Sequence, residues 1–529
     1  GVRGGITDDI NYDVYYSYAR TKNAQVQLGN ISRSALTEAI ESGLCDIYGL
    51  NQLSNECIDA VSIDAQNQEE SILQVAQASI SGSAGFTVPW ANNPVGFALG
   101  AEYRTMSASF IPDTALSSGD VAGFNAGDPT AGSYNAKEIF GELRIPLVED
   151  HGIHKFELNG AFRYSDYSLD AVGGVWTYAA GAELAPIQDI SFRAQYQRAI
   201  RAPNVSELFG GSAIGFPGAD DPCSNRTALA DQTQALRDLC IATGVPAANV
   251  FTAVIQSNDQ IEGAFGGNPN LQEETGDTYT VGAVVRPRFI PRLNIAVDWY
   301  SIKIADAIAV AGGSVQGVLD ACYNTAAPAQ VFCDLINRDS QGAISGGGVF
   351  IVTATNANLA QLNAEGIDWQ VDYNLPVGFG LLGPTSKLSA NVYGNYTYRS
   401  SFIPFEGADE IECAGKFAGN CGEPTPKWKW TSRLSWMDGP LTTSIRWRHL
   451  SKVEDQDGNN SVLQMDAYNL FDLAFSFNVT DNATFNLGVN NLFDKKPPIV
   501  GANAEQANTY PSTYDVLGRD FFVSASFRL

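Results

Sequence analysis

The sequence holds only three histidines and three methionines, and 17% of its 529 residues are charged, below the roughly one quarter usual in soluble domains. With so few histidines, a Ser-His-Asp or metal reading would need one of them beside distant partners. No run approaches the 18 or more apolar residues of a transmembrane helix. A helical membrane protein is therefore excluded, whereas a transmembrane β-barrel, in which only half of each strand is apolar, is not. Basic residues are also scarce, 32 Lys and Arg against 58 Asp and Glu for a net charge of −26. With no Lys/Arg cluster, nucleic acid is not expected as a partner. No signal peptide is visible: Gly1-Val2-Arg3-Gly4 opens directly before a strand, so a leader has been removed or the chain starts partway through a longer one.

What the sequence has in quantity is two-residue periodicity. In the final run, Phe521, Val523, Ala525, Phe527 and Leu529 alternate with Phe522, Ser524, Ser526 and Arg528. That is the mark of a strand with one greasy face and one mostly polar face. Phe156, Leu158, Gly160, Phe162 and Tyr164 repeat it against Lys155, Glu157, Asn159, Ala161, Arg163 and Ser165. So do Tyr12, Val14, Tyr16 and Tyr18 in 11–20, and Ile190, Phe192, Ala194 and Tyr196 in 190–200. Sixteen such strands are predicted, over 11–20, 72–81, 97–104, 134–146, 155–168, 175–185, 190–200, 275–286, 293–300, 362–375, 387–398, 428–436, 441–450, 465–479, 484–490 and the terminal run. Their connections largely alternate between long and short, with Leu169–Gly174 short where a long one is due. A soluble sandwich has no reason to sort its loops in this way; a transmembrane antiparallel β-barrel, with short periplasmic turns and long extracellular loops, does. In lipid such a sheet must close, because no backbone group can be left unpaired.

All eight cysteines fall in long connections, two to a loop: Cys45 and Cys57, Cys223 and Cys240, Cys322 and Cys333, Cys413 and Cys421. Local pairs of even number read as disulfides formed in an oxidising compartment. Zinc ligation is the competing reading, but it needs compact groups such as CxxC, and none is present.

Several segments resemble one family. They are Gly96-Phe97-Ala98-Leu99-Gly100-Ala101-Glu102-Tyr103-Arg104 and Arg198-Ala199-Ile200-Arg201-Ala202-Pro203-Asn204-Val205-Ser206-Glu207-Leu208-Phe209. Others are Asn270-Leu271-Gln272-Glu273-Glu274-Thr275-Gly276-Asp277-Thr278-Tyr279-Thr280, Asn490-Asn491-Leu492-Phe493-Asp494 and Tyr514-Asp515-Val516-Leu517-Gly518-Arg519. Each is modest alone, but the ordered set resembles the C-terminal, larger part of a TonB-dependent outer-membrane receptor. The resemblance implies a 22-stranded barrel around an N-terminal plug, whose TonB box draws on an energised inner-membrane complex. Residues 1–529 would then be a partial barrel of about 16 strands, lacking the plug and about six strands, which are supplied upstream or by a separate chain. Its lipid partner is the bacterial outer membrane, with long loops extracellular and the C-terminus periplasmic. Leu529 departs from the terminal Phe common in such barrels. A passive 16-stranded porin is the structural rival.

No catalytic constellation stands out, and the chain is read as a transporter, not an enzyme, with no cofactor or metal. His151, His154 and His449 read as polar turn or rim residues. Gly346-Gly347-Gly348 lacks the Lys-Ser/Thr of a phosphate loop. Asp455, Asp457, Gly458 and Asn459 resemble only the start of a calcium loop. The inferred lumen face carries Glu102, Arg104, Glu157, Arg163, Arg193, Gln195, Gln197 and Asp298. Of these, Arg104, Arg163, Arg193 and Asp298 are the ligand candidates, while Arg198, Arg201 and Glu207 are expected to organise the longest loop. Loop Tyr, Phe, Asn and Asp suit a sugar, so a carbohydrate is the preferred cargo, with peptides or a ferric siderophore as alternatives.

Overall fold

A strand with one apolar and one polar face still carries unpaired backbone groups along both edges, and each edge needs a neighbour. The computed structural model describes every residue except 49–52, 327, 459–460, 502–504 and 529. The readings placed on Asn459 and Leu529 lie outside the described residues. The rest forms an antiparallel meander in which each strand pairs with the next. It opens with β1 (Val2–Gly5), β2 (Ile10–Ile31), β3 (Ser62–Ser83), β4 (Gly96–Pro112), β5 (Thr130–His151) and β6 (Ile153–Tyr167). It continues through β7 (Gly174–Ile187), β8 (Ile190–Arg201), β9 (Glu274–Val285), β10 (Leu293–Val310), β11 (Asn356–Val377) and β12 (Ser386–Ile403). It ends with β13 (Trp428–Asp438), β14 (Leu441–Leu450), β15 (Tyr468–Thr480), β16 (Ala483–Asn490) and β17 (Asp520–Phe527). Of the sheet's 18 strands, β1 and the two-residue Ile411–Glu412 are short. The other sixteen are those that the periodicity predicts.

The register carries the alternation from strand to strand. Tyr15, Gln77, Glu102 and Glu138 stand in one row, and Tyr16, Ala76, Tyr103 and Lys137 in the next. On the apolar face Tyr16, Leu99, Ile139, Leu143, Val281, Leu434 and Val523 are all exposed, Val523 by 81%. Leaving a large aliphatic side chain in water forgoes about 1.5–3 kcal/mol each, so a face like this is built for lipid. Tyrosines gather toward its long-loop end, where Tyr178, Tyr196 and Tyr279 lie 6.0 and 4.8 Å apart between successive ring centres. His449 lies in the same belt, stacked on Trp430 at 3.7 Å. Amphipathic rings belong where acyl chains give way to headgroups.

The connections sort by end. Gly152, 188–189, 439–440 and 481–482 turn tightly at one end, whereas 32–61, 202–273, 311–355 and 491–519 cross at the other. The turn 168–173 is the exception that the sequence shows. The first hairpin differs from expectation: β2 and β3 pair from Ile10 opposite Gly82 up to Ile31 opposite Ser62. At roughly 3.3 Å per residue they rise well past the apolar band. The upper halves are polar on both faces (Gln25, Gln27, Gln66, Gln68), so alternation fades while the ladder continues.

The long loops have cores of their own. Loops 202–273 and 311–355 share one built on Ile261, Val315, Val318, Leu319, Phe332 and Val352. Phe417, Val453, Met465, Tyr468, Val500, Tyr510 and Tyr514 form a second across three other loops. At the tip of the β2–β3 hairpin, α1 (Arg33–Glu41) and α2 (Asn55–Val61) enclose a third small core. All four local disulfides are present, Cys45–Cys57, Cys223–Cys240, Cys322–Cys333 and Cys413–Cys421.

Among the described residues the strand pairings do not close the sheet into a ring. Among the described residues β17 pairs only with β16, and β2 beyond Val14 has β3 on one side alone.

Candidate functional site

Side chains on the polar face meet across strands because residues opposite one another lie about 5 Å apart. The four ligand candidates fall into two groups. Arg104 on β4 and Arg163 on β6 both donate to the same oxygen of Glu138 on the strand between them, at 2.7 and 2.8 Å. Ser165 donates to the other oxygen at 2.6 Å, and Glu102 also pairs with Arg104 at 2.9 Å. Glu138 is buried and is the hub that sequence reading missed. Its signal was there: strand alternation places it on the same face as Glu102, one strand over.

Arg193 and Asp298 form the second group. They sit two strands apart, on β8 and β10, with Gly282 of β9 between them in the same row. Arg193 Nε and Nη2 reach the two carboxylate oxygens at 2.6 and 2.5 Å. The fork fits only because position 282 has no side chain; an added Cβ would fall on the Asp298 carboxylate.

Of the remaining polar-face residues, Glu157 pairs with Arg144 at 2.6 Å, while Gln195 and Gln197 stand opposite Thr280 and Thr278. Arg201 clasps Glu207 and Glu274 at 2.8 and 2.6 Å. Glu207 also caps its own short helix by accepting from the Asn204 N–H. Arg198 forks onto Asp277. The Arg201–Glu207 contact ties the longest loop to its strands, while Arg198–Asp277 joins β8 to β9.

Gly346-Gly347-Gly348 cradles a carboxylate of this chain. All three glycines have positive φ, and the Gly347 and Gly348 N–H groups donate to Glu262 at 3.0 and 2.8 Å. His154 rests on Asp150 beside a tight turn, and Asp455 lies in the short strand Val453–Asp455.

The polar face and the second loop core enclose a cavity of 670 Å³ lined by Arg193, Asp298, Asp368, Lys429, Arg448 and Tyr514, among others. Two of the sequence candidates thus open onto it. Arg448 is engaged by Asp472 at 3.0 Å, whereas Lys429 has no ion-pair partner among the described residues. The Tyr514 hydroxyl is buried and without a hydrogen-bond partner among the described residues, and burial raises its pKa to about 12. It stays a protonated donor at any physiological pH. Lys429 and Tyr514 were not singled out from the sequence. Lys429 alternates with Trp428 and Trp430 on β13, so its polar face is legible, but the loop core that makes a cavity beside it is not, and Tyr514 is brought in by loop packing. The Tyr514 hydroxyl is covered by protein, so the donor the site offers to an acceptor-rich guest is the exposed Lys429 ammonium, in a space of a size typical for small-molecule pockets.

No curated protein matches the chain in sequence. Solved structures do match in fold. A mutant of the ferric enterobactin receptor PfeA from Pseudomonas aeruginosa superposes with a TM-score of 0.61 at 14% identity, over 99% of this chain and 60% of its own. The siderophore receptor PirA from Acinetobacter baumannii gives 0.57 at 13% identity, over 98% and 60%. The copper transporter OprC gives 0.50 at 12%, over 99% and 63%. The chain therefore spans about three-fifths of the length of the solved structures it matches. The family model described as "TonB dependent receptor-like, beta-barrel" matches residues 3–492, and with the strand order and lipid-facing surface in place the chain belongs to that family of outer-membrane barrels.

Proposed function

We propose that the chain forms most of the wall of a TonB-coupled outer-membrane receptor whose cargo is an acceptor-rich ferric chelate of the siderophore type. Transport, not catalysis, is the work of this family. The cargo reading rests on cationic donors that line one cavity, the Lys429 ammonium, which has no ion-pair partner among the described residues, with Arg193 and Arg448. A hydroxamate or catecholate chelate presents oxygens to such donors, and the names of the PfeA and PirA structures agree with this choice. It replaces the carbohydrate expected from the loops. The open edges of β2 and β17 would be closed by further strands, and a plug with its TonB box would fill the lumen. Both come from polypeptide outside these 529 residues. The long loops are extracellular and the turn end periplasmic.

Carbohydrate stays as the second reading on one observation: Tyr393, Asn395, Asp368 and Gln370 line the same cavity and suit a stacked, hydroxyl-rich ring. The deciding experiment is uptake of radiolabelled ferric chelates and oligosaccharides by cells carrying the receptor, with and without a protonophore. Protonophore-sensitive iron uptake is expected. Sugar uptake alone would favour the second reading, and uptake indifferent to the protonophore would point to a passive pore.

A further inference from the structure

The connection between β11 and β12, residues 378–385, is unlike its neighbours at the tight-turn end. From Val377 to Thr385 it contains no charged residue. Phe379, Leu381 and Leu382 are 66%, 79% and 56% exposed. The chain is not loose there. The Asp438 carboxylate, only 1% exposed, accepts from the N–H groups of Leu381, Leu382 and Gly383 at 2.5, 2.8 and 3.2 Å. Ser386 Oγ donates to the Phe379 carbonyl at 2.6 Å. Three hydrogen bonds to one shielded carboxylate fix the turn in a shape that leaves its greasy side chains outside.

Both anchors lie on the apolar side of the sheet. Asp438 follows Leu434 and Trp436 in alternation along β13, and Leu388, two residues on from Ser386, stands opposite Trp436. The turn is therefore folded outward, toward the lipid-facing surface, and not beneath the lumen. Beside it is the β9–β10 turn, Pro287-Arg288-Phe289-Ile290-Pro291-Arg292, linked by the Asn374 N–H donating to the Arg292 carbonyl at 3.4 Å. There Phe289 is 84% exposed between two arginines. Apolar side chains flanked by cations are the composition of segments that lie in the headgroup–acyl boundary, and an exposed cluster of this kind needs a covering.

We propose that the turns 287–292 and 378–385 form a lipid anchor, seated in the headgroup–acyl boundary of the membrane leaflet at the tight-turn end, with the Asp438 carboxylate as the residue that positions it. The occupant is a phospholipid surface, for which continuity with the lipid-facing band argues. The proposal rests on the barrel's place in a membrane and is independent of its cargo.

The test is spin-label accessibility in the full receptor, reconstituted in phosphatidylethanolamine–phosphatidylglycerol vesicles. Single labels are placed through Leu381→Cys, Leu434→Cys and Asp481→Cys, with oxygen as the lipid-soluble collider and a nickel chelate as the aqueous one. The oxygen-to-nickel ratio at 381 is expected to be several-fold that at 481 and to approach that at 434. Adding Asp438→Asn should bring the 381 ratio down toward that at 481 while leaving 434 unchanged. A 381 label as open to nickel as 481, with 434 still in lipid, would overturn the anchor alone. So would a 381 label shielded from both colliders, since that shows a protein partner. A 434 label open to nickel would instead contradict the membrane placement itself.

Discussion

Arg338 and Asp221 meet inside the loop unit, at 2.6 Å and with side chains 2% and 1% exposed, and so join loop 311–355 to loop 202–273. Tyr323 completes the arrangement, its hydroxyl accepting from Arg338 Nη2 at 2.9 Å. Burial disfavours the guanidinium charge, but Asp221 and Tyr323 more than offset this, and the pKa is raised. Removing one member of such a pair leaves the other charged and dry, at a cost of about 3–5 kcal/mol. Arg338→Ala should therefore loosen both loops together. Hydrogen exchange should rise at 221–245 and 315–336 while the strands stay protected.

The Tyr514 hydroxyl behaves oppositely. Because it has no hydrogen-bond partner among the described residues, Tyr514→Phe should leave folding intact or slightly improved. Lys429 does face the cavity, and loss of one hydrogen bond of about 0.5–1.5 kcal/mol to a guest should make Lys429→Ala bind ligand roughly 2- to 12-fold more weakly. Calorimetric titration of the purified receptor and of each variant reads both effects, with ligand affinity expected unchanged in Tyr514→Phe.

On the polar face, Arg193 and Asp298 are partly open to water, with side chains 54% and 24% exposed. A pair of this kind contributes about 0–1 kcal/mol, so Asp298→Ala should barely move the unfolding midpoint. Gly282→Val should do more, because its side chain cannot share the space of the Arg193–Asp298 fork. The check is the fraction of each variant that keeps heat-modifiable mobility on a gel.

The hairpin tip carries a pH-sensitive contact. The Asp120 carboxylate accepts from the Ser32 hydroxyl at 2.5 Å and the Ser34 N–H at 2.7 Å, and these bonds hold its pKa below the usual carboxylate value. A depressed folded pKa means the contribution is present above the unfolded value of about 3.9 and fades as pH falls through the folded value. Exchange at 32–41 should rise only below about pH 4, and Asp120→Asn should remove that pH dependence.

Strand number, loop sorting and disulfide pairing were legible because each is local: alternation is read from adjacent residues, and each cysteine pair closes within one loop. The ion-pair groups were half legible. Alternation puts Arg104, Arg163, Arg193 and Asp298 on one face, but choosing partners needs the register, and so Glu138 was missed. The loop cores were illegible because Val318, Val352 and Phe417 come from segments without a period, brought together only by packing. The anchor turn hid for the opposite reason, since a short apolar stretch reads as the end of a strand.

The most direct test is a high-resolution density map of the receptor purified from its native membrane. Additional strands joining the free edge of β17 to that of β2, around a lumen filled by a plug, are the expected result. A ring in which β17 pairs directly with β1 and β2 around an empty lumen would contradict an energised receptor and leave a passive porin.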